Sequence, residues 1–260
     1  MATTHKQYQS THPGPIGSIK MADYHVPPED GLGSFLGSNA IAKLFRKNCF
    51  PTLGGGIPYS ASEWTITTGG TGDAQAVAAT AGGGLLITYA SDDNFDTTLD
   101  SIAPFTPATG KVFALAARIR VSAATGLGIK IGMSTGGAVA ALPFGTNYTD
   151  VVAFSKPITS AALVGTVRGN SGTAADSATL ATMVDATEIT VAFWVKFHAT
   201  EPAGAWYVDG TITPFTAAQL AQVVAILTTP PTMYATIHGT GVTATTPTLT
   251  VTSFAAEVDN

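Results

Sequence analysis

The sequence predicts an all-β protein: an antiparallel β-sandwich with one short helix, preceded by an extended N-terminal arm. Three observations carry this expectation. Hydrophobic residues alternate with small or polar ones at period two in segment after segment. Asp209-Gly210 sits between "AWYV" and "TIT", the strongest two-residue hairpin signal, because a type I′ turn needs φ > 0 at both central positions. Strand and helix patterns do not alternate, which argues against a parallel sheet.

Residues 1–60 stand apart from the rest. Pro13, Pro15, Pro27, Pro28, Pro51 and Pro58 punctuate them, together with Gly14, Gly17, Gly31, Gly33 and Gly54–Gly56. One helix is expected at about 38–48, with Ser38 as N-cap and Ile41, Leu44 and Phe45 on one face. Its other face carries Lys43, Arg46 and Lys47. A segment this long without a core of its own needs another surface to offset its ordering entropy. "LGGGIP" (53–58) reads as a hinge into a body spanning 61–260.

In the body, "KVFALAARIRV" places Phe113, Leu115, Ala117, Ile119 and Val121 on one face. "LGIKIGM" does the same with Leu127, Ile129, Ile131 and Met133, and "EITVAFWVKFH" with Ile189, Val191, Phe193, Val195 and Phe197. These read as half-buried antiparallel strands. Further strands are expected near 64–68, 74–80, 84–89, 150–154, 162–168, 205–213, 233–238 and 248–258. Trp206 and Val208 should face one way and Tyr207 the other. In "TAAQLAQVVAIL", Thr216 and Gln219 form a capping box. Leu220, Val223, Val224 and Leu227 supply the expected apolar face, and Pro230 and Pro231 the stop.

Composition narrows the function. Charged residues make up 11% of the chain, against a norm of about 25%. So uncharged a surface suits a protein held in an assembly. Residues 1–50 carry net +2 and the remainder net −7, which suggests a basic arm on an acidic body. Such a body repels phosphates, so no nucleic-acid partner is expected. Cys49 is the only cysteine, so no intrachain disulfide forms. The polar N-terminus does not read as a signal peptide, and no apolar run is long enough to span a membrane. Synthesis in a reducing cytoplasm is expected.

Each candidate chemical motif has a bland competitor. "GMSTG" (132–136) matches G-x-S-x-G, with Ser134 as the nominal nucleophile and His198 or His238 as nominal bases. That elbow needs a parallel strand followed by a helix, so a turn is the expected reading. "DDNFD" offers Asp92, Asn94 and Asp96 at alternate positions, like the start of a calcium loop, but Thr97 and Ala103 replace the required Gly and Glu. It is the weak calcium candidate beside a solvated loop; no metal and no cofactor is expected. "EVD" (257–259) is the only Glu-x-Asp, and no third acid follows, which argues against a glycosidase. Trp194, Tyr207 and Tyr234 are candidates for stacking on sugars, or for a core or subunit contact.

The order "AFWVKFH", "WYVDGTIT", "MYATIHGTG", "TLTVTSF", preceded by "GGGLLITYAS", "FTPATGKVFALAARIRVS" and "GLGIKIGMST", resembles a concanavalin A-like or laminin-G-like jelly roll over about 63–258. It is similar to decoration, or cement, proteins of tailed-phage capsids. That resemblance implies a non-enzymatic protein of the virion, bound to the major capsid protein on the outer surface of the head. The arm would anchor it through Ile41, Lys43, Leu44, Phe45, Arg46 and Lys47, bridging capsid subunits. A homo-oligomer is expected, a trimer favoured by the local three-fold sites of capsids. The alternative is a carbohydrate-binding, lectin-like module of a phage fibre, with host surface glycans as partners.

Overall fold

The computed structural model describes residues 60–69, 76–80, 84–89, 95–135, 149–241 and 246–259. The expected helix at 38–48, its six anchoring residues, the hinge at 53–58, and Asp92 and Asn94 lie outside the described residues. The described chain forms fifteen strands and one helix. In order these are β1 (Trp64–Gly69), β2 (Ala76–Ala79), β3 (Leu85–Thr88), β4 (Phe95–Phe105), β5 (Val112–Val121), β6 (Leu127–Ser134), β7 (Val151–Lys156) and β8 (Ala162–Arg168). There follow β9 (Ala175–Asp176), β10 (Ala181–Thr182), β11 (Glu188–Lys196), β12 (Ala203–Val208), β13 (Thr211–Pro214), α1 (Ala217–Thr228), β14 (Met233–Gly241) and β15 (Thr248–Asp259).

All strand pairs are antiparallel. They make an eight-stranded sheet, β1-β4-β14-β6-β7-β8-β10 with β9 on β8, and a seven-stranded sheet, β13-β12-β11-β5-β15-β3-β2. The two pack as a concanavalin A-like jelly-roll sandwich around one core. Ile131, Phe154, Val167 and Ile237 face inward from the first sheet. Leu115, Phe193, Trp206 and Phe254 do so from the second. Trp206 is fully buried, with ring centroids 4.6 Å from Phe215, 5.0 Å from Phe154 and 5.3 Å from Phe193. Each such side chain stabilises the fold by about 1.5–3 kcal/mol. Gly165 is needed here, because a Cβ would strike the Trp206 indole.

The β12–β13 turn is Asp209-Gly210, with φ of 42° and 93°. Trp206 and Val208 are buried, while Tyr207 is half-buried on the opposite face. Helix α1 has the capping box: Thr216 Oγ1 accepts from the Gln219 N–H, and Gln219 Oε1 accepts from the Thr216 N–H.

Two expectations need correction. The helix buries Gln219, Val223 and Ile226, so its inner face is rotated from the expected Leu220, Val223, Val224 and Leu227; Leu220 and Leu227 only flank the core. Gln219 causes the rotation. Its amide nitrogen donates to Gly165 O at 2.7 Å, and its oxygen accepts from Trp206 Nε1 at 3.4 Å, which draws a polar side chain inward. Second, "DDNFD" does not end in a loop. Asp96 belongs to β4, where it pairs with Gly69 and Thr240. No strand was expected at 95–105, because "TTLDS" is polar on both faces.

Lys156, at the end of β7, is buried beneath the loops that close the sandwich. Its Nζ donates to the carbonyls of Ala124 (2.6 Å), Pro157 (3.1 Å) and Ser160 (3.2 Å). Burial pushes its pKa down to about 8, opposed by the nearby Asp185 carboxylate. Asp185 in turn accepts from the Ala124 N–H.

Candidate functional site: a polar ladder on the eight-stranded sheet

Alternation fixes which side chains leave the core. Met233, Ala235 and Ile237 of β14 point inward, so Tyr234, Thr236 and His238 point outward. In register with them, one outward row reads Asp100, Thr236, Gly132, Ala153, Thr166, Asp176 across six strands. The adjacent row reads Thr67, Thr98, His238, Lys130, Ser155, Val164. A third begins at Tyr234 and continues through Ser134, Val151 and Arg168.

Within this face the hydroxyls form a directed chain. Thr236 Oγ1 donates to Asp100 Oδ1 at 2.6 Å, so Ser134 Oγ, 2.8 Å away, donates to Thr236 Oγ1. On the inward side of β4, opposite Trp64, Ser101 Oγ accepts from the Ala235 N–H and donates to Ala103 O. At the far end Thr166 Oγ1 donates to Asp176 Oδ1 at 2.6 Å. Ser155 Oγ is buried and has no hydrogen-bond partner among the described residues. Tyr234 is half-buried at the edge of the ladder, with its Cα opposite that of Ser134.

Ser134 is therefore no nucleophile elbow. It is the last residue of β6, antiparallel to a strand on each side, buried, with its proton directed at Thr236. His198 follows β11, and its Nδ1 accepts from the Thr200 and Glu201 N–H groups. His238 sits between Thr98 and Lys130 by register.

Among the described side chains, Asp100 and Asp176 of this face are not placed as a glycosidase pair. Asp100 and Asp176 are five strand steps apart, about 24 Å at about 4.8 Å per step, whereas hydrolytic pairs lie about 5–9.5 Å apart. Glu257 and Asp259 belong to β15 in the other sheet. Among the described residues, no three His, Cys, Asp or Glu side chains come together as metal ligands.

The three aromatic candidates do not share a platform. Trp194 and Tyr207 lie on the outer face of the seven-stranded sheet, opposite Ala205 and Ala192 respectively. Tyr234 lies on the outer face of the eight-stranded sheet. The sandwich core separates them, so no one ligand stacks on all three. Sequence reasoning missed Asp100 and Thr236. The signal for Asp100 was the polar run "TTLDS" (97–101), and for Thr236 the polar alternation of "MYATIHGTG" (233–241), whose buried hydroxyls need neighbours to satisfy them.

By sequence, the chain matches no protein-family model and no curated protein. By structure it is similar to the endo-1,3-beta-glucanase of Streptomyces sioyaensis, with TM-score 0.55, 16% identity, and 81% of this chain and 94% of that one covered. Peanut lectin is similar too, with TM-score 0.52, 13% identity, and 81% and 98% covered. So is the Emp46p carbohydrate recognition domain in its metal-free form, with TM-score 0.51, 8% identity, and 78% and 94% covered. At these identities the likeness is one of fold.

Proposed function

We propose that the chain binds glycans without cleaving them, on the outer face of the eight-stranded sheet. The fold shared with carbohydrate-recognising proteins, with the half-buried Tyr234 on its outer face, carries this reading; the buried Ser134, Thr236 and Asp100 brace the strand that presents Tyr234. A half-buried tyrosine, Tyr234, stands beside a hydroxyl–hydroxyl–carboxylate chain of Ser134, Thr236 and Asp100. A sugar presents an apolar ring face and a rim of hydroxyls. It suits one aromatic ring with a few fixed polar groups next to it. The fold is shared with carbohydrate-recognising proteins and with a glucanase. The wide separation of Asp100 and Asp176 favours binding over hydrolysis. The test is a glycan array followed by calorimetry on the best ligand. Tyr234→Ala should weaken binding about ten-fold or more, as loss of a stacking anchor does. Unchanged affinity would remove Tyr234 from the site. Release of reducing sugar would overturn the non-catalytic reading.

A second reading is a decoration protein on the outside of a phage head. It is supported by the low charge, 11%, and by the segment order described above. In that setting Ile41, Leu44, Phe45 and the basic residues beside them would anchor the arm to the major capsid protein. Densitometry of purified virions separates the two settings: a capsid decoration should be present in hundreds of copies per particle, a fibre module in tens.

A further inference from the structure

The outer face of the eight-stranded sheet is closed at its centre and open at one end. Thr98, Lys130, Ser155 and His238 are all buried. At the Tyr234 end, Ile102 is 55% exposed, Pro104 is exposed, and Glu63 and Tyr234 are half-buried. A β-bulge makes the difference. Tyr234 pairs with Pro104 and Thr236 with Asp100, so Ser101, Ile102 and Ala103 of β4 stand opposite the single Ala235 of β14. Extra residues in one strand bend it and re-aim its side chains. The Ala235 N–H loses its ladder partner there, and Ser101 Oγ accepts from it while donating to Ala103 O. On the other side of β4 the Ile102 N–H donates to Glu63 O at 3.1 Å, which pins Ile102 beside the start of β1.

Alternation assigns the sides. Phe105 belongs to the core and Ser101 stands opposite the core residue Trp64, so Ile102 and Pro104 face outward. Glu63 precedes Trp64 and faces outward with them. Four side chains therefore share one accessible surface. Tyr234 lies directly across from Pro104, Ile102 follows two residues away along β4, about 7 Å, and Glu63 lies across from Ile102. Resting on the glycan reading above, the geometry points to a neutral, methyl-bearing sugar as the ligand, held on a platform of Tyr234, Pro104 and Ile102 with Glu63 at its rim. The C–H face of the sugar ring lies on Tyr234 and Pro104. Ile102 offers no hydrogen bond, and a hydroxyl buried against it would lose its water without a replacement. A methyl suits it, whether the C6 methyl of a 6-deoxyhexose or the acetamido methyl of an N-acetylhexosamine. The Glu63 carboxylate accepts from a pair of ligand hydroxyls and repels a second carboxylate or a sulfate. Along the Tyr234 row the cation is Arg168, three strand steps away, about 14 Å. At that distance it is screened from a ligand seated beside Glu63.

The test applies the full chain to an array of oligosaccharides that end in matched residues. These are the 6-deoxy, 6-hydroxy and 6-carboxylate forms of each hexose, N-acetylated against plain hexoses, and sulfated forms beside them. Calorimetry on soluble members of the array follows. Methyl-bearing neutral sugars should bind about ten-fold more tightly than their carboxylated counterparts. The tighter of the 6-deoxy and N-acetyl arms identifies the source of the methyl. Ile102→Ser should cut that affinity about five-fold, the worth of a partly buried apolar contact, and erase the preference for the methyl. Glu63→Gln should bring neutral and carboxylated sugars to within about two-fold of each other. Thermal unfolding of both variants should match the wild type, which separates a ligand contact from a structural role. Binding that Tyr234→Ala weakens but Ile102→Ser and Glu63→Gln leave intact would overturn the platform while keeping the glycan reading. A wild-type preference for carboxylated or sulfated sugars would do the same. An array on which the wild type binds no sugar would overturn the glycan reading itself, and the platform with it.

Discussion

The two outer faces of this sandwich are made of different material. On the eight-stranded sheet the outward side chains of the central strands are Asp100, Thr98, Thr236, His238, Lys130, Ser134 and Ser155. On the seven-stranded sheet the corresponding positions include a strip of alanines, Ala114, Ala116, Ala192, Ala205 and Ala255, bordered by Trp194, Thr190, Arg118, Ser253 and Glu257. Both sets are largely buried. A buried polar set must satisfy its donors and acceptors, and the Ser134–Thr236–Asp100 chain does so. A buried alanine set needs only something to lie on it. The polar face therefore depends on exact hydrogen bonding and the alanine face on close packing.

The largest effect expected from breaking this contrast is on the alanine side. Ala116→Asp would place an unpaired charge in a site that is 1% exposed. It should lower stability by about 3–5 kcal/mol, the range for an uncompensated buried charge. Thr65→Asp, on the exposed edge of the polar sheet, should change stability by about 0.5 kcal/mol or less. Urea unfolding of both variants checks the pair. Equal, small effects would show the alanine face to be solvated.

Next in size is the lysine that ties the sheets together. Lys156 of β7 holds the Ala124 carbonyl in the β5–β6 connection, which passes from one sheet to the other. Its pKa falls from 10.5 in the unfolded chain to about 8 in the fold. Between these values the unfolded chain binds the extra proton, so stability rises with pH. Below about pH 8 the fold bears the full penalty of a buried ammonium, and the penalty disappears as pH passes 10.5. Relative to Lys156→Met, the wild type should gain up to about 3 kcal/mol across that window, at about 1.4 kcal/mol per pH unit. A difference that stays flat in denaturation from pH 7.5 to 10.5 would mean that the three carbonyls stabilise the ammonium as strongly as burial penalises it.

Thr236→Val sharpens the polar side. It keeps the shape but strips Asp100 of a donor and Ser134 of its acceptor. A loss of about 1–3 kcal/mol is expected for groups left unsatisfied. Glycan affinity should fall with it. A variant that unfolds earlier yet binds as before would make the ladder a structural network and not a recognition surface.

What could be read from the sequence follows the same division. The alternating strands β5, β6 and β11 announce themselves, because each has one apolar face. The capping box of α1 and the Asp209-Gly210 turn were legible because local chemistry alone dictates them. Strand β4 was not. Its Thr97, Thr98, Asp100 and Ser101 are buried among partners distant in sequence, and no local pattern encodes that. Gln219 misled in the same way. It reads as a surface cap residue, but its amide bonds Gly165 and Trp206 inside the fold. The arrangement of the aromatics was hidden too, since a sequence shows that Trp194, Tyr207 and Tyr234 alternate outward but not that two sheets separate them.

The smallest expected effect tests the edge of the alanine sheet. Asp209 has φ 42° and both its groups face Thr190: its N–H donates to Thr190 O at 3.0 Å, and its Oδ1 accepts from the Thr190 N–H at 2.8 Å. Aspartate tolerates the left-handed region because a short polar side chain can bond locally, whereas alanine cannot. Asp209→Ala loses that acceptor and pays the conformational penalty, so about 1 kcal/mol is expected. Asp209→Asn keeps the acceptor and the tolerance, and should be neutral to within about 0.5 kcal/mol. Asp209→Gly removes the strain but also the bond, and should fall between them. The turn fixes the register of β12 and β13, and a slip of one residue would send Tyr207 inward and Trp206 outward. Thermal unfolding of the three variants should rank asparagine, glycine, alanine. If alanine matched asparagine, the Thr190 contact and the left-handed turn would have no part in holding Ala205 and Tyr207 on the outer face.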